Sequence, residues 1–210
     1  MDRLSYADVN RQRYLDWCGG VADSPLTAVQ RMEFAIISAH TPMQKAIAGW
    51  RTVQEYVAVS DMGEALMGAG VIAPGKKAVY IYTLRELQPF PEYPYQKYRE
   101  RVKLPGMGPC KLSFACCLID PLNSDVVCMD THVLAAYGLA TDKASVRRVY
   151  RTAAAYVVVE APLLLEAREV GLPPFAYQWA VWDWQRGRTL HVPPLNHSFL
   201  WREPMDFQLP

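Results

Sequence analysis

What this chain has little of narrows its class first. Its formal net charge is only +1, too small for a field that would draw the whole molecule onto a polyanion, so any such binding must rest on local clusters. No apolar run reaches membrane-spanning length, and residues 1–5 carry no basic region leading into an apolar stretch. A soluble, intracellular, cytoplasmic protein is therefore expected. The five cysteines (Cys18, Cys110, Cys116, Cys117 and Cys128) are odd in number and lack framework spacing, which argues for reduced thiols rather than a disulfide scaffold. His40, His132, His191 and His197 are scattered and no Cys/His pair has zinc spacing, so no metal site is expected. Internal repeats, low-complexity tracts and alternating strand patterns are missing too, apart from a short apolar run at 126–129 and another at 157–159 inside a helical register.

What remains is a helical pattern with a large apolar share. The 210 residues are 51% hydrophobic and 20% charged, enough for a substantial core in one compact unit or two small lobes. The spacing predicts helices over 5–17, 24–39 and 41–57, the third with Thr41 and Gln44 as a capping box, and a short one from 61 that ends at Gly68 or Gly70. Further helices are expected over 74–87, with Lys76 and Lys77 exposed, over 95–103 after a proline-rich connector, over 142–161 and over 162–170. The last, 175–186, is unusually aromatic. Trp179 and Trp182, at i and i+3, read as core packing, while Trp184 or Asp183 is the candidate for facing a ligand. Residues 190–210 hold four prolines and read as an irregular segment wrapping the surface.

The chain is organised around 104–132. Leu104-Pro105-Gly106-Met107-Gly108 reads as a tight turn, because proline fixes φ and glycine reaches φ values closed to other residues. Pro109 suits the first turn of a new helix, and the run 111–119 is mostly apolar and expected to be buried. Bare glycine amides at a helix N-terminus favour an anion such as a phosphate, although the same turn serves equally as an ordinary helix connection. Downstream, Asp130 stands where an N-cap belongs, before a helix opening with Thr131 and His132; an isolated Asp there is first of all a cap. Lys97, Arg99, Arg101, Lys103 and Lys111 crowd the approach to the turn with Glu100 as their one acid, and Arg147, Arg148 and Arg151 form a second cluster. Such clusters suit phosphate contacts or a solvated helix face.

Taken together these motifs resemble the helix-hairpin-helix DNA glycosylase superfamily, the group of endonuclease III and the 8-oxoguanine glycosylases. Leu104 to Gly108 is similar to the family's L-P-G-hydrophobic-G hairpin, and Asp130, within Met129-Asp130-Thr131-His132, stands where the family has its aspartate. The block from Met32 to Thr41 resembles the early helix ending in S-A-Q-T, with His40 in place of glutamine. The likeness covers about 24–138. It implies an all-α, two-lobed fold with the site in the cleft: a central lobe over 24–124, and a second lobe from 1–23 plus 125–210. It also implies double-stranded DNA holding a damaged or modified base as partner, a monomer associated with DNA, and no cofactor. The iron–sulfur loop of many relatives has no counterpart, since no cysteine lies beyond Cys128.

The resemblance further implies the chemistry. A base buried in a duplex must be flipped out, and cleaving its glycosidic bond develops oxocarbenium character that a carboxylate beside C1′ stabilises. Asp130 is the candidate for that role. The implied DNA contacts are Leu104, Gly106, Met107, Gly108, Cys110, Lys111, His40, Thr41 and His132. Strand-cleaving members place a nucleophilic lysine two residues after the second glycine, where this chain has Cys110. Lys111 comes one residue later, rotated about 100° around a helix, yet nineteen positions before Asp130, close to the family spacing; both a hydrolytic and a lyase mechanism stay open. Two other readings remain: a viral-type base-hypermodification transferase acting on a modified thymine, and a non-catalytic DNA-binding module.

Overall fold

A computed structural model describes residues 1–87, 90–139 and 142–190. The fold is all-α. Among the described residues there are twelve helices: α1 Arg3–Val9, α2 Arg11–Ala22, α3 Ala28–Ile37, α4 Met43–Val53, α5 Val59–Gly68, α6 Pro74–Leu87, α7 Tyr95–Arg101, α8 Pro109–Ile119, α9 Thr131–Ala136, α10 Lys143–Val149, α11 Ala153–Glu169 and α12 Pro174–Leu190. None is long and apolar enough to cross a membrane.

Where local chemistry decides, sequence and structure agree; α6 and α8 run over the predicted residues. Elsewhere a stronger local signal wins. The first helix is two, broken at Asn10, and its second part continues through Gly19 and Gly20. Helix α3 starts from a capping box of Thr27 and Gln30 rather than from Ser24. The capping box expected at Thr41 does not form, because the Thr41 hydroxyl accepts from Ile72 N–H and from Lys77 instead. Helix α11 begins at a Thr152 cap and runs straight through Pro162. Val158, whose carbonyl loses its donor there, is 71% exposed, so the proline falls on the helix face open to solvent. The expectation that 190–210 wraps the surface falls, from residue 191 onward, outside the described residues.

Two elements gather the rest. Helix α3, buried from Arg31 to Ile37, packs on α4, α6 and α8, with α5 against α4 and α6. Helix α12 packs on α1, α2, α9 and α11. Helix α8, buried from Leu112 to Leu118, touches α2, α3, α7 and α11 and so contacts both groups; each such apolar side chain contributes roughly 1.5–3 kcal/mol. Two expected surface cations lie inside. Lys77 is buried, its amine donating to the carbonyls of Ile37 and Ala39, at 2.6 Å each, and to Thr41 Oγ1; it closes the C-terminal end of α3, which no local signal announced. Arg99 is buried too, paired with Glu160 of α11 and donating to Ser113 of α8. It therefore leaves the basic approach to the hairpin, where Lys97, Arg101 and Lys103 stay exposed.

Candidate active site

The hairpin closes through an isolated bridge between Leu104 and Met107, with Met107 N–H donating to Leu104 O at 3.1 Å. Gly106 has φ +74, and a Cβ there would stand 2.1 Å from the Tyr80 ring. Only glycine fits that turn. Gly108 differs, being extended at φ −74 and ψ 178 as the N-cap of α8, with open space around a would-be Cβ and no side-chain cap. The first-turn amides of α8 thus sit behind a bare backbone. The side chains of Leu104 and Met107 are buried, so they fasten the hairpin to the core rather than face a ligand; any contact from these two residues must come from their backbone.

Behind the hairpin, residues 126–129 pass through the core in neither helix nor strand, and side chains satisfy the backbone instead. Val127 N–H donates to Glu160, Cys128 N–H to Gln178 at 2.8 Å and Met129 N–H to Tyr156 Oη at 2.6 Å. Tyr156 Oη donates to Val127 O, and Tyr150 Oη to Met129 O. This accounts for a buried chain that makes no sheet. It also aims the residue that follows.

That residue, Asp130, caps α9 by accepting from Val133 N–H at 2.9 Å, and its other oxygen accepts from Trp182 Nε1 at 2.8 Å. The carboxylate is half-buried and held from two directions. His132, the second residue of α9, meets the Trp182 ring edge-on at 5.6 Å. Cys110, two residues after Gly108, is buried with its Sγ 3.5 Å from Cys128 Sγ and 3.8 Å from Met129 O. The Cys128 contact draws the Cys110 thiol below its ordinary pKa, and the Lys111 charge acts in the same direction. Lys111 Nζ donates to Ser38 Oγ at 3.3 Å and lies 5.3 Å from the Phe114 ring centroid.

The residues singled out from sequence thus divide. Asp130 and His132 meet around Trp182, Cys110 underlies them, and Lys111 joins the hairpin helix to the end of α3. His40 is exposed in a left-handed turn at φ +57. Thr41 is buried as a structural anchor. Trp182 packs on Trp179 as the sequence predicts, but the sequence does not foresee its bond to Asp130 and offers Trp184 or Asp183 as candidates; Trp184 donates to Met1 O, and Asp183 accepts from Tyr14. The signal lay in the aromatic run of α12, but the face carrying the indole N–H toward Asp130 depends on a contact 52 residues away. No cluster of three or more His, Cys, Asp or Glu suited to a metal occurs among the described residues. Comparison with protein-family models, with curated proteins and with solved structures found no match.

Proposed function

We propose that this chain is a DNA glycosylase of the helix-hairpin-helix type, which extrudes a damaged or modified base from duplex DNA and hydrolyses its glycosidic bond. The observation carrying the reading is Asp130, a carboxylate fixed by Val133 N–H and Trp182 Nε1 beside the helix that follows the glycine hairpin. A charge held in one orientation by two donors costs no reorganisation when a cation develops next to it, which is what an oxocarbenium-like transition state requires. The grouping of helices around α3 and around α12, with α8 touching both, supports a two-lobed molecule whose cleft holds Asp130.

In this reading the backbone of the hairpin and of α8 grips a phosphate, and Lys97, Arg101 and Lys103 add charge without reading sequence. Water is the nucleophile. Cys110 occupies the position of the lyase lysine and faces Met129, whereas Lys111, one residue around α8, is directed to Ser38. The chain then acts as a monomer on double-stranded DNA and leaves an abasic site. Duplexes carrying single lesions or modified thymines, incubated with the protein and weighed by mass spectrometry, should release a free base from at least one substrate. A strand that gains mass would make the chain a base-modifying transferase. Binding with neither product would make it a DNA-binding module.

A further inference from the structure

Arg186 lies one turn beyond Trp182 on α12, its guanidinium carbon 4.3 Å from the centroid of the Trp182 ring. The same indole donates to Asp130 and meets His132 edge-on, so a carboxylate, an imidazole, an indole and a guanidinium are contiguous. The two buried guanidiniums are compensated in other ways: Arg99 keeps an unpartnered Nε but is paired with Glu160, and Arg31 donates to the carbonyls of Leu26, Ser24 and Leu118. Arg186 differs. Its Nη1 is shielded from solvent with no hydrogen-bond partner, and it forms no ion pair among the described residues. Nor does Asp130 serve it: among the described residues its carboxylate accepts from Val133 and Trp182 and forms no ion pair with Arg186.

A shielded donor on a cation that lacks its counter-charge is costly, more so than an unpaired neutral group, and calls for a partner that arrives with the ligand. A guanidinium's fork matches carboxylate and phosphate oxygens. We propose that Arg186, braced on Trp182, is an anion subsite beside Asp130 that takes an anionic group of the extruded nucleotide. Resting on the glycosylase reading, this narrows the substrate: the anion is either the nucleotide's own phosphate or an acidic substituent on its base.

The test is isothermal titration of the full chain with thymidine, thymidine 5′-monophosphate and 5-carboxy-2′-deoxyuridine. The native protein should bind at least one anionic ligand about tenfold or more tightly over thymidine, the scale of one charge-assisted hydrogen bond. Preference for the monophosphate assigns the phosphate, and preference for the carboxylated base assigns the substituent. Arg186→Gln should erase the preference and Arg186→Lys keep part of it, with both variants checked for native helicity. Equal affinities of the native protein for all three ligands, or a preference that survives Arg186→Gln, would overturn the proposal. None of these ligands reports bond cleavage. A preference dependent on Arg186, together with no base released from any duplex, would keep the subsite and end the glycosylase reading; base release without any preference would do the reverse.

Discussion

The two hairpin glycines do different work, and substitution separates them. Gly106 combines positive φ with the Tyr80 ring against its α-carbon, so Gly106→Ala should destabilise the fold by about 2 kcal/mol or more, from strain and the displaced ring. Gly108 is extended with open space, so Gly108→Val should fold normally yet obstruct an approaching phosphate. Thermal melts and binding titrations would show it: Gly108→Val should weaken specific and random duplexes alike, and unchanged affinity would remove the phosphate role. Lys77 gives a pH prediction. Burial, aided by the Lys111 charge, draws its amine down from 10.5 to about 8. Between those values the folded chain has released a proton that the unfolded chain still holds, so this residue's share of stability rises as pH rises from about 8 towards 10.5. Denaturant melts at pH 7 and pH 9.5 should show the native protein gaining stability that Lys77→Met does not gain, while the variant loses about 1–3 kcal/mol at pH 7 by orphaning the acceptors at the end of α3. Identical pH slopes for the two would refute the assignment.

At the scale of elements, the unpaired segment 126–129 depends on α11. Glu160 serves both Arg99 and Val127 N–H in a site closed to solvent. Glu160→Gln keeps the shape but leaves Arg99 charged and unpaired, so a loss of about 3–5 kcal/mol is expected by chemical denaturation. A change under 1 kcal/mol would show that the pair does not hold the segment. The same element shows where reading a sequence stops. The cap at Asp130, the proline at N1 of α8 and the apolar run behind it are signals within one turn, and the pattern carried them; the Thr152 cap it passed over, reading 142–161 as one helix. The partners of Arg99, Lys77 and Trp182 lie 61, about 40 and 52 residues away. Charge and hydropathy along the chain say that such residues are polar or aromatic, but not which face finds a counterpart across the fold. So two cations read as surface, Lys77 and Arg99, proved to be buried, and an indole read as core packing, which does pack on Trp179, proved also to hold the carboxylate.

For the whole molecule the proposed glycosylase reading turns on which group would attack the sugar. Borohydride added during turnover should trap no protein–DNA adduct, because the amine of Lys111 is held at Ser38 and the register of the lyase lysine is taken by a thiol. An adduct that disappears in Lys111→Gln would make the amine the nucleophile. The most direct measurement concerns Asp130. Asparagine there still accepts from Val133 N–H and keeps the α9 cap, but it carries no charge and turns an amide N–H towards Trp182 Nε1. Single-turnover base release by the native protein and Asp130→Asn, on whichever duplex yields free base, should differ by about 100-fold or more, with duplex affinity preserved within a few-fold. Equal rates in the two proteins would contradict the account.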